Sequence, residues 1–246
     1  KEVCAVKKGN KFGIPSFEYE LTDSTNEQAK IYAKSGSWQG EPTIFVANEQ
    51  TKGRGRYSRK FYSKSGAGAY LSLLFKSNSD ISNTTSIIAL TAISMIKAIR
   101  EQVMADVKIK WVNDIFIDDK KVCGILTESA INTETKKLDF AVLGVGINLT
   151  KPKENFPEDI KNIAGAVEGN YSINHLAAEV LNQVISLVSD PQADRFINEY
   201  KTRSIVIGKT VTVHKGGLIP GKPGVPARVL DIDNTGGLVV IYTSGQ

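Results

Sequence analysis

Gly53-Arg54-Gly55-Arg56-Tyr57-Ser58-Arg59 lies between two apolar, strand-like segments, residues 43–47 and 69–75. Its two glycines let the backbone approach a ligand closely and adopt positive φ. Its three arginines supply planar, permanently charged forks that suit phosphates and carboxylates, and Lys52 and Lys60 extend the charge. A loop this polar is not core; its composition asks for an anionic partner and its glycines suggest motion. Alone, the run fits a solvated surface turn, an electrostatic contact for nucleic acid or a specific anion site.

Outward from the loop, Asp23 or Ser24 is placed to cap a helix over residues 25–34, which Gly36 ends. Residues 43–47 and 70–75 read as buried strands. Ile87, Ile88, Thr91, Ala92, Met95, Ile96, Ile99 and Val103 keep helical spacing from 84 to 103. Short strands over 107–111 and 115–117 flank Asn113-Asp114, and Asp118-Asp119 makes a hairpin turn. Residues 122–130 and 138–149 read as long strands joined by a turn at 132–136. Residues 151–169 are rich in proline and charge and read as an irregular loop. Ser172 caps a helix with the apolar stripe Ile173, Leu176, Ala177, Val180, Leu181, Val184 and Val188, and Pro191 opens another through Tyr200. From residue 207 the pattern changes to β-branched strands over 210–214, 227–232 and 238–242, split by Gly/Pro-rich and Asn-Thr-Gly-Gly turns, as in a small β-barrel. The reading is α+β: a mixed, mainly antiparallel sheet backed by helices, followed by a small barrel.

Five further segments stand in order around the loop: Asp23-Ser24-Thr25-Asn26, Gln50, Lys110-Trp111-Val112-Asn113-Asp114, Lys121-Val122-Cys123-Gly124-Ile125-Leu126-Thr127-Glu128 and Gly144-Val145-Gly146-Ile147-Asn148. With the Gly/Arg run, this set resembles the biotin protein ligases (biotin–[acetyl-CoA-carboxylase] ligases), from about residue 19 to the C-terminus. The resemblance implies a class II aminoacyl-tRNA-synthetase-like ligase core with an SH3-like C-terminal domain. It divides the chain into an N-terminal tail (1–18), a catalytic biotin- and ATP-binding domain (19–205) and the SH3-like domain (206–246). Two positions depart from the family pattern: Phe61 stands where Trp is usual, and Val112 where Pro is usual. A phenyl ring still stacks on a purine, over less area.

The resemblance further implies a two-step reaction. Biotin carboxylate attacks the α-phosphate of MgATP to give biotinyl-5′-AMP and pyrophosphate. A lysine of a biotin carboxyl carrier domain then attacks that anhydride and releases AMP. Such chemistry needs cations and N–H groups to absorb charge more than it needs a nucleophilic side chain. By resemblance, Ser24, Thr25, Asn26, Gln50, Arg54, Gly55, Arg56, Lys121 and Gly124 bind biotin. Arg54, Arg56, Arg59, Phe61, Lys110, Asn113 and Asn148 bind ATP, Lys121 and Arg56 are the catalytic cations, and Asp114 holds Mg²⁺. Each position also has a plainer reading: a helix cap for 23–26, a strand end for Gln50, a solubilising hairpin charge for Lys121, a turn residue for Asp114 and core for Phe61. Glu128 reads as structural, Trp111 as core, and a glycine inside a strand, as at Gly146, as a sign of close packing.

Composition sets the outer bounds. A chain of 246 residues, 41% hydrophobic and 23% charged, suits one large domain plus a small one. It has no apolar run of membrane-spanning length. Two cysteines, Cys4 and Cys123, fit a reducing, cytoplasmic setting, and Cys123 reads as a small hydrophobe. His175 and His214 match no catalytic or zinc spacing. The net charge of +5 is scattered apart from residues 52–64, and the segment before Asp23 is too short for the winged helix-turn-helix of repressor-type ligases. The expectation is therefore a ligase without a DNA-binding module, acting as a monomer or weak homodimer with neither nucleic acid nor membrane as partner. Three rivals differ in kind: a lipoate–protein ligase, a biotin-responsive repressor and a non-enzymatic biotin-binding module. The Gly-Arg-Gly-Arg run and the Lys-x-x-Gly-Ile-Leu motif favour biotin over lipoate, and a phosphate grip favours an enzyme over a binder.

Overall fold

A computed structural model describes residues 4–11, 13–76, 84–131, 138–169, 178–179, 182, 194–214 and 223–243. The chain opens with an antiparallel pair, β1 (Cys4–Lys11) and β2 (Ile14–Thr22). Of the N-terminal tail expected over residues 1–18, residues 4–11 and 14–18 are thus strand. The backbone turns at Gly13, where φ is 76°, and β1 forms one edge of the sheet.

Next come α1 (Thr25–Lys34), β3 (Thr43–Gln50), a 3₁₀ turn (Arg56–Ser58), β4 (Gly68–Phe75) and α2 (Thr84–Gln102). They are followed by β5 (Lys108–Lys110), β6 (Asp114–Ile117), β7 (Lys120–Ile131), β8 (Leu138–Asn148) and α3 (Asp194–Thr202). Helix α1 has the expected bounds, but the Ser24 hydroxyl does not cap it. The Asp23 carboxylate instead accepts from the Ser24 N–H at 2.6 Å and the Gln28 amide at 2.9 Å. The turn at 118–119 has positive φ at both aspartates, as a tight two-residue hairpin requires. The turn at 132–136 and most of the helix expected after Ser172 lie outside the described residues.

Eight strands form one sheet in the order β1-β2-β3-β4-β8-β7-β6-β5. Only β2 and β3 run parallel, joined through α1; the other pairs are antiparallel. The sheet is therefore mixed and mainly antiparallel, as the sequence implies.

Strand alternation gives the sheet two unlike faces. Leu71, Leu73 and Phe75 of β4, Cys123 and Ile125 of β7, and Leu143, Val145 and Ile147 of β8 pack with α2 in the main core. The opposite face, which α1 covers, carries the alternate positions. At one end these are Leu74 and Val142, in a smaller apolar cluster with Tyr19, Ala29 and Phe45. At the other end they are Ser72, Gly124, Leu126, Gly144 and Gly146, whose three glycines give that end a hollow instead of a core.

The C-terminal strands β9 (Thr210–Val213), β10 (Val225–Ile232) and β11 (Leu238–Tyr242) form a separate three-stranded antiparallel sheet, ordered β11-β10-β9. It abuts the main core, to which Ile232 belongs and against which Leu238 packs. Trp111 seals the junction: its indole N–H donates to the Gly236 carbonyl at 3.0 Å, while its ring packs on the core as expected.

Candidate active site

Register builds the floor of the site. Gly146 of β8 lies opposite Gly124 of β7 on one side and Tyr70 of β4 on the other, and Gly124 lies opposite Asp114 of β6. Gly144 stands between Ser72 and Leu126 in the next row. The glycines leave room for what lies over them. A Cβ at Gly146 would come within 2.5 Å of the Phe61 ring, and one at Gly124 within 3.2 Å of both Phe61 and the end of the Lys121 side chain. A Cβ at Gly144 would strike the Asn26 amide. The strand glycines are thus explained by close approach.

Above this floor lies a cavity of about 130 Å³. Ser24, Thr25 and Asn26 line it from the start of α1, Gln50 from the end of β3, and Arg54, Gly55, Arg56, Arg59 and Phe61 from the loop. Asn113, Asp114, Lys121 and Gly124 line it from β6, β7 and the turn before them. Lys110 and Asn148, expected beside these, are not among its walls. The Lys110 ammonium sits 5.6 Å from the centre of the Phe116 ring. Asn148 is buried and donates its amide to the Gly165 carbonyl at 2.9 Å, so in this structure it braces the 151–169 segment.

One end of the cavity is neutral and densely hydrogen-bonded. Asn26 donates to Glu128 Oε2 at 2.8 Å, and its Oδ1 accepts from the buried Ser72 hydroxyl at 2.6 Å. The Ser72 oxygen also shares a hydrogen bond with the Thr25 hydroxyl at 2.7 Å. The Thr25 N–H donates to Gln50 Oε1 at 2.8 Å, and the Gln50 amide donates to Ser63 Oγ at 3.0 Å. Such a chain fixes which way each amide faces, because every member is held by its neighbour. Burial pushes the Glu128 carboxyl up. Hydrogen bonds from Asn26 and Lys30, with the charges of Lys30 and Arg54, more than offset this and hold it below its ordinary value. Glu128 is the structural residue the sequence implied. Ser72 and Ser63 were not foreseen; a lone serine in the apolar run Ala69-Tyr70-Leu71-Ser72-Leu73-Leu74-Phe75 was the available signal.

The other end is cationic. Lys121 Nζ lies 2.7 Å from Asp114 Oδ1 and 5.7 Å from the centre of the Phe61 ring. The Lys121 backbone is pinned by donating to Ile163 O and accepting from Gly165 N. The loop closes on itself: Gly55 N–H donates to Arg59 O at 2.7 Å, Arg59 N–H to Arg56 O at 3.2 Å, and Phe61 N–H to Gly53 O at 2.8 Å. Tyr57 takes φ 56° at its tip, a left-handed conformation uncommon for a residue with a side chain. The Arg56 guanidinium lies over the Tyr57 ring, 5.1 Å from its centre. Gly53 is essential to the stem, since a Cβ there would meet the Phe61 carbonyl. Among the described residues no three acidic, histidine or cysteine side chains cluster as a metal cage. Among the described residues that line the cavity, the carboxylate beside the cations is that of Asp114.

The family model for "Biotin/lipoate A/B protein ligase family" matches residues 18–148. The bifunctional ligase/repressor BirA of Bacillus subtilis is 34% identical over 146 residues, covering 59% of this chain and 44% of that protein. The chain thus spans less than half the length of that relative. The biotin–[acetyl-CoA-carboxylase] ligase of Mycobacterium tuberculosis is 27% identical over 244 residues, covering 92% of this chain and 85% of that one. Among solved structures, the Aquifex aeolicus biotin protein ligase in complex with biotin and ATP shares the fold with a TM-score of 0.73 at 23% identity, over 94% of this chain and 93% of that one.

Proposed function

The chain belongs to the biotin/lipoate A/B protein ligase family, and from that premise we propose that it is a biotin–protein ligase. It activates biotin with MgATP and transfers it to one lysine of a biotin carboxyl carrier domain. The observation that carries this reading is the polarity of the cavity, with a neutral amide and hydroxyl network at one end and Arg54, Arg56, Arg59 and Lys121 at the other. A ureido ring, with two N–H donors and a carbonyl, suits the first end. A carboxylate meeting a phosphate suits the second.

In the first step a biotin carboxylate oxygen forms a bond to the α-phosphorus of ATP, and the bond to the pyrophosphate oxygen breaks. Lys121 and the loop arginines offset the charge of two anions brought together. The Lys121–Asp114 pair holds the ammonium over Gly124 until an anion arrives. The carboxylate of Asp114 fits Mg²⁺, which binds through one or two carboxylates plus substrate phosphates; when bound it would neutralise triphosphate charge. Phe61 offers a ring for the purine. In the second step the carrier lysine nitrogen attacks the acyl carbon, AMP leaves, and the proton passes to solvent. The Gly/Arg loop keeps water from the anhydride between the two steps.

The same reading takes residues 19–205 as catalytic domain, extended by β1 and β2, with the class II synthetase-like architecture. It takes β9–β11 as part of an SH3-like barrel over 206–246. It makes the protein a cytoplasmic monomer or weak homodimer. Among the described residues no helix is long and apolar enough to cross a membrane.

Mass spectrometry of a carrier domain incubated with the protein, biotin and MgATP tests the reading. One biotinyl mass on one lysine is expected, and none with lipoate in place of biotin. Lipoylation without biotinylation would overturn it.

A further inference from the structure

Helix α1 carries two side chains that the reaction described above does not use, Glu27 and Lys30. Glu27 forms an ion pair with the Nη1 of Arg54 and another, 2.6 Å long, with Lys30 Nζ. Lys30 Nζ also lies 2.9 Å from Glu128 Oε1, whose other oxygen holds Asn26. A continuous chain, Arg54–Glu27–Lys30–Glu128–Asn26, therefore joins the cationic loop to the amide end of the cavity. The bonds among residues 53–61 are internal to the loop. Among the described residues, Arg54–Glu27 is the ion pair that ties the 53–61 loop, at its stem, to helix α1.

We propose that Glu27 is a positioning residue that anchors Arg54 over the cavity before any anion enters. This inference deepens the ligase reading and rests on it only for the choice of substrate. A guanidinium has five donors. Glu27 occupies Nη1, and the remaining edge is left to grip a carboxylate or phosphate. The Glu27 side chain is 26% exposed and that of Arg54 49%, so the carboxylate end of the pair is sheltered while the guanidinium stays half-open to solvent and to a ligand. Local charge is balanced: Arg54 and Lys30 face Glu27 and Glu128. The loop therefore stays seated despite its like charges, and an incoming anion meets an arginine already in place. Pre-ordering of this kind lowers the cost of binding. It should appear as a lower KM for the anionic substrate, with little change in kcat.

The test begins in the ligand-free full-length protein. Limited trypsin digestion, read by mass spectrometry at the Arg56 and Arg59 bonds, should run about two- to fivefold faster in Glu27→Gln than in wild type, the range expected for one partly exposed ion pair. Arg54→Gln should accelerate the same cuts after correction with a synthetic peptide of the loop. Glu27→Gln/Arg54→Gln should be no faster than either single variant, because the two act through one contact. Lys30→Gln, which leaves Arg54–Glu27 in place, should digest like wild type. In biotin-dependent pyrophosphate exchange, Glu27→Gln should raise the KM for biotin several-fold and hold kcat within a factor of two. Wild-type cleavage in Glu27→Gln, additive effects in the double variant, equal acceleration by Lys30→Gln, or faster cleavage with unchanged KM would each overturn the proposal. Absence of exchange in the wild type would instead refute the ligase reading, and the digestion would still decide the anchor.

Discussion

Replacing Gly144 by alanine puts a methyl group where the Asn26 amide lies. The amide cannot swing aside cheaply. It is held by a 2.8 Å bond to the Glu128 carboxylate and a 2.6 Å bond from the buried Ser72 hydroxyl. A hydrogen bond to a charged group contributes about 1.5–3 kcal/mol, and one between neutral groups about 0.5–1.5 kcal/mol. Against this loss, alanine in a strand gains roughly 0.5–1 kcal/mol over glycine. The expected outcome is a net loss of about 1–4 kcal/mol, read as a lower urea midpoint with unchanged slope. Biotin affinity should fall together with stability, by roughly three- to tenfold for one displaced ligand bond, measured by titration calorimetry. The double variant Asn26→Ala/Gly144→Ala separates the two effects, because removing the amide removes the overlap. Relative to Asn26→Ala alone, the added methyl should cost nothing in stability, while biotin binding stays weak. A Gly144→Ala protein with wild-type midpoint and wild-type biotin affinity would refute the argument that this glycine exists to admit Asn26.

Lys121→Ala should abolish biotin-dependent pyrophosphate exchange and leave the circular dichroism spectrum intact, since only the backbone of Lys121 holds Ile163 and Gly165; near-normal exchange would reduce Lys121 to a hairpin charge. Arg56→Gly should release biotinyl-AMP roughly ten- to hundredfold faster by loss of one charge-assisted bond, measured by rapid filtration, and an unchanged rate would remove Arg56 from the grip. Glu128 has a depressed value in the fold, so the unfolded chain binds more protons in acid and stability rises with pH there. Its contribution is complete above its ordinary value of 4.5 and is lost as pH falls through the depressed one. Urea midpoints of the wild type should therefore drop more steeply below about pH 4.5 than those of Glu128→Gln, and parallel curves would contradict that assignment.

Local order and solvent partition are properties a chain carries along its length, and the sequence by itself determined them. The cap signals and spacing of α1, the apolar stripe of α2, the strands β4, β7 and β8, and the turn at Asp118-Asp119 follow from backbone preference and periodicity over a few residues. The motif set likewise named most of the cavity's walls in advance. What only the tertiary structure decided is pairing. Strands β1 and β2 are held to the sheet by backbone hydrogen bonds, which are blind to side-chain type, so a lysine-rich segment could not announce that it pairs. Lys110 and Asn148 stand beside the right motifs, yet one ammonium settles over Phe116 and the other residue's amide turns to Gly165. Direction of this kind depends on partners distant in sequence. So do the roles of Ser72, Glu27 and the strand glycines. Each is an ordinary residue until register sets Ser72 opposite Gly144, and Gly146 between Tyr70 and Gly124. Fold then brings helix α1 down on that trough, and the contacts that orient Asn26 and Arg54 come from segments separated by as many as 102 residues.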